Sequence, residues 1–258
     1  MPLAPPMDLL MDLVADLWAR ATTAHAPLDW RIVLAMAVVA LVSAWTPPGY
    51  RVVRHGVTLV HEAGHASVAV LAGRRLSGIR LHSDTSGVTL SRGRPRGPGM
   101  VLTLAAGYPA PALVGLAGAW LVGAGYAAGW LWLLALTCAL MLLMIRNLYG
   151  LWVVLATGVA VGALSWLAPP VILVAAAYLV VFSLLLAAPR SVMELQRQRR
   201  RMRATAGGRS GSTAGLASDV DQLSRLTQVP AVVWTGVFWL VCAGCLVAGG
   251  WMLWPVRS

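Results

Sequence analysis

Residues 56–73 read GVTLVHEAGHASVAVLAG. The apolar stretch that contains them, about 51–73, is long enough to cross a membrane, which takes about 17–25 residues. Yet residues 56–73 within it hold three ionisable side chains, His61, Glu62 and His65. A charge in hydrocarbon costs roughly 2.5–3.5 kcal/mol on insertion scales, so groups of this kind mark a functional site by default. Residues four apart share one face of a helix, so both imidazoles can hold a single metal ion. Glu62, beside the first of them, is placed to take a proton from metal-bound water. Two imidazoles, one further ligand and an open position suit Zn²⁺. The HExxH string also arises by chance in soluble helices. Its apolar setting favours the metal site over the plainer reading, a polar cluster bonded between helices.

Composition agrees with a membrane setting. Hydrophobic residues make up 59% of the 258, charged residues 11%, and mean hydropathy is +0.74. A soluble domain carries about 25% charge, which excludes a soluble enzyme, a secreted disulfide scaffold and a disordered chain. The expected class is an all-α polytopic membrane protein with six to seven transmembrane helices and a small β-hairpin after the HEAGH helix. The charge is +11, and every basic residue is Arg. Between Arg31 and Arg190 stand only two carboxylates, Glu62 and Asp84.

Apolar segments at 31–47, 51–73, 99–126, 129–145, 147–167, 171–189 and 230–254 give seven candidate spans. One kinked helix could replace the two that meet at Arg146-Asn147. The chain divides into an amphipathic segment at 1–30, a membrane domain at 31–189 around HEAGH, a basic loop at 190–228 and a final transmembrane helix at 229–258. At the start, Asp8, Asp12 and Asp16 fall at i, i+4 and i+8 beside an apolar face. That pattern suits an interfacial helix, not a signal peptide with its basic n-region.

Arginines crowd the loops at 74–98 and 190–228, while the connections near 127–129 and 168–170 carry no charge. The positive-inside rule puts both basic loops in the cytoplasm, which requires an even number of spans between them, and four fit. Residues 78–91 alternate Ile79/Leu81 and Val88/Leu90 around a polar turn, a hairpin signal. Residues 194–217, rich in Arg and then Gly/Ser, read as a flexible linker near anionic headgroups. No aromatic interleaving accompanies the basic run, so no nucleic-acid partner is expected.

Three further features make the chain resemble the site-2 protease family of intramembrane zinc metallopeptidases, in particular a compact bacterial M-fifty-B-like branch. HEAGH in a membrane helix is followed by a hairpin and then by AAGYPAPALVG (105–115), similar to the family's Gly/Pro-rich core helix. RNLYG (146–150) looks like the start of its third core segment, and SDVDQLSRLTQVPAVVW (218–234) resembles the ending of the compact branch. The resemblance implies hydrolysis of peptide bonds in membrane-associated proteins or peptides, one zinc per chain, a bacterial cell membrane and a site open to the cytoplasm.

One departure stands out. In the family the Asn segment leads to an Asp-Gly that supplies the third metal ligand, whereas 147–167 here holds no carboxylate. The candidates are Asp219, Asp221, Asp84, His82, His55 and Asn147, and the Asp219/Asp221 pair before the last span is favoured. Ser218 and Asp221 also form a capping box, which accounts for Asp221 better than for Asp219. His55 lies about 240° round the helix from His61 and faces away. His82 reads as solvated and Asp84 as a turn residue. Asn147 and Arg146 are candidates for binding a substrate carbonyl or oxyanion, or else a polar helix end.

Cys242 and Cys245 read as small packing residues, Gly158 and Gly162 as a close helix contact, and Pro109 and Pro111 as a break in a span. Besides the protease, two functions compete. An inactive scaffold or regulator of the same fold is motivated by the missing Asp-Gly. A transporter is motivated by intramembrane histidines, but would need a polar path across the bilayer.

Overall fold

The computed structural model describes residues 6–206 and 218–254. Ten helices and one hairpin follow in order: α1 (Pro6–Thr22), α2 (Trp30–Trp45), α3 (Pro47–Leu71), β1 (Arg75–Leu81), β2 (Gly87–Arg92), α4 (Pro98–Ala106), α5 (Ala110–Gly123), α6 (Ala127–Met144), α7 (Leu148–Leu167), α8 (Pro170–Ala206), α9 (Asp219–Thr227) and α10 (Ala231–Met252). Among the described residues, four helices (α6, α7, the apolar part of α8, and α10) are long and apolar enough to cross a membrane. Two bent pairs, α2 with α3 and α4 with α5, raise the count to at most six. Trp120, Trp152, Leu240 and Val247 are among the many large apolar side chains left exposed on the bundle. A soluble protein rarely tolerates such a surface, and lipid covers it here. The protein is a multi-pass, all-α membrane protein with a small hairpin.

The expected spans at 31–47 and 51–73 are not two antiparallel crossings. α2 and α3 meet at 95°. Thr46 precedes Pro47-Pro48 and is extended (φ −88°, ψ 150°), because a residue before proline is pushed out of the helical region. The Arg190 guanidinium donates to the carbonyls of Ala44 (2.5 Å) and Thr46 (3.4 Å), and so caps the end of α2. It also lies 3.8 Å over the Tyr50 ring. Thus α2 ends level with Arg190 of α8, and α3 sets off across the bundle at that depth. The 99–126 segment is likewise broken, by 67°, at Gly107–Pro109, as its prolines suggested.

Contacts define the two ends of the bundle. At one, Arg20 stacks on Trp166, His25 N–H donates to Gly125, and Gly123 abuts Met252. At the other lie Thr46 with Arg190, and the hairpin with Asn147. α8 differs from expectation, since its helix runs through Pro189 to Ala206 over 37 residues. Residues 190–206 contain no Gly or Pro and are rich in Arg, Glu, Gln, Met and Leu, which favour helix. Residues 207–217 of the expected linker, 1–5 and 255–258 lie outside the described residues. α1 is amphipathic, and Leu9, Leu10 and Trp18 on it are exposed. Cys138, Cys242 and Cys245 are buried and free, and a Cβ on Gly158 would stand 3.0 Å from that of Cys138.

The hairpin pairs Ile79 with Thr89 and Leu81 with Gly87. Its turn is closed by the Asp84 carboxylate, which accepts from Ser86 N–H (3.0 Å) and Ser86 Oγ (2.6 Å). β1 is anchored on its other edge by Arg146 N–H donating to Ile79 (2.9 Å). The Asn147 amide both accepts from Leu81 N–H (3.2 Å) and donates to Leu81 C=O (2.6 Å). Replacing Asn147 by Ala strands both Leu81 groups, at about 1–3 kcal/mol for each buried group left unpaired. The expected outcome is faster hydrogen exchange at Leu81 and Ile79 and a lower melting temperature in detergent. Unchanged protection at both amides would contradict this role.

Candidate metal centre

HEAGH sits in the body of α3, where the 3.6-residue repeat puts His61 and His65 on one face. Their Nε2 atoms are 3.0 Å apart. His65 is buried, and its Nδ1 lies 2.7 Å from the Thr103 carbonyl of α4. An N–H donated there fixes the ring and turns Nε2 toward His61 and Asp219. The Asp219 carboxylate, at the first position of α9, closes the group: Oδ2 is 3.2 Å from His65 Nε2 and 3.3 Å from His61 Nε2. Among the described residues these three form the cluster able to hold a metal ion.

Their spacing fits zinc. Ligand atoms 2.0–2.1 Å from a tetrahedral Zn²⁺ stand about 3.3 Å from one another, and here the separations are 3.0, 3.2 and 3.3 Å. His61 and Asp219 keep 18% and 20% of their side-chain surface, so the group is reached from their side. Burial pushes the Asp219 carboxyl up, but hydrogen bonds from His61 and His65 outweigh it and hold the group below the usual carboxylate range.

Small residues let the backbone close on this cluster. A Cβ on Gly107, at the α4–α5 break, would collide with His65 Nε2 and stand 2.6 Å from His61 Nε2. One on Gly64, inside HEAGH itself, would stand 2.5 Å from the Ala110 Cβ. The break therefore rests directly on the imidazoles, where glycine alone fits. Next along the chain, Tyr108 meets the His61 ring edge to face at 4.8 Å and stacks on Phe238 of α10 at 5.5 Å.

Glu62 is turned toward the hairpin. It is 3% exposed, and Thr89 Oγ donates to its Oε2 at 2.6 Å, with its own backbone carbonyl 3.2 Å away. A Cβ on Gly87 would stand 2.5 Å from Glu62 Oε1, so the start of β2 packs tightly over the carboxylate. Thr58 Oγ donates to the Thr85 carbonyl (2.8 Å) and ties the turn to α3.

The other candidates lie apart from this cluster. Asp221, the second of the favoured pair, accepts from Ser218 Oγ (2.6 Å) and pairs with Arg199 of α8 (2.8 Å). Its carboxylate is held by the N-cap serine and by α8, so Asp219 is the one of the pair that faces the histidines. Asn147 and Arg146 were read as candidates for an oxyanion; instead, the Asn147 amide is spent on Leu81, and the Arg146 guanidinium donates to Leu143 C=O (3.3 Å). His55 bonds Arg51 C=O (2.7 Å) and Tyr149 OH (2.9 Å). His82 and Asp84 are exposed in the hairpin turn. Sequence reasoning missed Thr103, Thr89 and Gly87, whose partners lie on other elements, and it took Gly107 only as part of a broken helix. A separate apolar cavity of about 1260 Å³ lies between α3, α4, α5, α6, α7 and α8, lined by His55, Ala63 and Gly64 but not by His61 or His65.

The family model for peptidase M50B-like proteins matches residues 34–249, which takes in α3, the hairpin, the α4–α5 break and α9. The chain belongs to the peptidase M50B-like family. It is thus a membrane-embedded relative of metallopeptidases that are generally zinc-dependent. No curated protein and no solved structure matches it. In this M50B-like chain, Gly107→Ala is expected to fold but to bind zinc at least about tenfold more weakly, the scale on which disturbing a ligand's surroundings acts. Chelator competition on the purified variant checks this, and wild-type zinc affinity would contradict the close packing.

Proposed function

We propose that the protein is an intramembrane zinc endopeptidase with His61, His65 and Asp219 as metal ligands and Glu62 as general base. The observation that carries this reading is the meeting of three ligand atoms within 3.3 Å, next in sequence to a buried carboxylate. Zinc held there would supply Lewis acidity to polarise a scissile carbonyl and to make water more acidic.

The chain's own groups do the rest. Thr103 holds the His65 ring in the tautomer that presents Nε2. Glu62 takes a proton from the attacking water and returns it to the leaving amine, the two-way transfer a positioned carboxylate can perform. Thr89 restrains that carboxylate through Oε2. Glu62 and His65 are buried in the bundle, which strengthens the interactions each of them makes. Asp219 meets the need left by the carboxylate-free 147–167 segment, and that need was the ground for the inactive-scaffold reading.

The substrate is a membrane protein or membrane-associated peptide. With Arg54, Arg146, Arg190, Arg199 and the hairpin arginines at one end of the bundle, the positive-inside rule turns that end to the cytoplasm. Its setting is a bacterial cell membrane.

Purified protein is expected to hold about one zinc per chain. Glu62→Gln should keep the metal and lose cleavage of a membrane-derived peptide by about 10²–10⁴-fold, the usual contribution of a general base. Asp219→Ala should lose both. Metal-free wild-type protein, or a Glu62→Gln variant with wild-type turnover, would overturn the proposal.

A further inference from the structure

α8 is about 55 Å long at 1.5 Å per residue, well beyond the roughly 30 Å of hydrocarbon it has to cross. Its last two turns with described side chains carry Arg199, whose Nη2 stands 2.8 Å from Asp221 Oδ1, with only 11% of the Arg199 side chain exposed. Asp221 lies two residues beyond Asp219 in the first turn of α9. The helix that supplies the third candidate ligand is therefore gripped at its start by the projecting part of α8.

α9 has nine residues, and several attachments hold it, among them Trp234 Nε1 of α10 donating to Thr227 Oγ (3.1 Å) at its end. Val220 and Leu223 are fully buried against its packing partners α4 and α10. Ser218 caps its first turn locally. Besides the contact of Asp219 with the histidines, the Arg199–Asp221 pair is a directional tether, at the start of α9, to an element far away in sequence. Apolar burial is non-directional and does not fix how a short helix is rotated. A shift of one residue turns a helix by about 100° and moves it 1.5 Å, enough to swing Asp219 Oδ2 away from both imidazoles.

We infer that Arg199 is a positioning residue for the third metal ligand, seating α9 through Asp221 so that Asp219 reaches His61 and His65. The inference rests on the metal reading above. An exposed ion pair would carry little weight. This one is largely buried, and removing one partner leaves the other charge uncompensated.

The test uses the full-length protein in detergent, with zinc affinity read by chelator competition and helix content by circular dichroism. Arg199→Met and Asp221→Asn are each expected to weaken zinc binding about 10–100-fold, the usual cost of losing a group that orients a metal ligand. Arg199→Lys should recover most of the affinity. The Met/Asn double variant should be no weaker than the worse single one, as expected when two changes break one interaction. Asp221→Asn keeps a side-chain oxygen for Ser218, so it remains informative if Arg199→Met does not fold. Wild-type zinc affinity in both single variants would overturn this inference alone. A wild-type protein that binds no zinc would overturn the metal reading and this inference with it.

Discussion

His61 Nε2, His65 Nε2 and Asp219 Oδ2 converge to within 3.3 Å inside an apolar bundle. Polar groups at that depth must satisfy one another, since an unpaired one costs several kcal/mol. The surrounding fold follows from this requirement. α3 supplies two of the groups, α9 the third, and the Thr103 carbonyl of α4 takes the remaining imidazole N–H. Each of these elements is short, tilted or broken where a simple bundle of spans would run straight.

The breaks have local causes. Pro47-Pro48 ends α2 and sends α3 off at 95°, so the HEAGH helix lies across the bundle. Gly107 and Pro109 interrupt the next apolar segment where it rests on the imidazoles, and only glycine leaves room there. Backbone irregularity at membrane depth is tolerated where it is packed against protein. The hairpin then covers Glu62 from the other side, with Thr89 bonded to its carboxylate and Asn147 anchoring β1. One end of the bundle thus carries the polar residues, the tilted elements and most of the charge.

The parts of this arrangement that depend on local spacing were legible in the sequence. His61 and His65 announce a shared face at i and i+4, the hairpin shows in its alternation, and the scarcity of carboxylates isolates Glu62. The same scarcity pointed to the 218–221 segment for a third ligand. The Ser218–Asp221 capping box leaned the choice toward Asp219 without deciding it, because the partner that holds Asp221, Arg199, belongs to another helix. Hydropathy reports how apolar a segment is and not its direction, so α3 read as one more crossing. Thr103 was invisible because its backbone carbonyl makes the contact, and Thr89 because a lone threonine in a strand carries no signal. The helical continuation of α8 to Ala206 was hidden by its charge, which resembles that of a solvated linker.

The measurement that bears most directly on the central claim is zinc K-edge X-ray absorption of the purified, zinc-loaded protein. Two imidazole nitrogens and carboxylate oxygen at about 2.0–2.2 Å, with one imidazole lost in His65→Ala, is the result expected for a catalytic zinc held by His61, His65 and Asp219. Sulfur at about 2.3 Å, which would place the metal at Cys242 and Cys245, or a spectrum unchanged in His65→Ala, would contradict it.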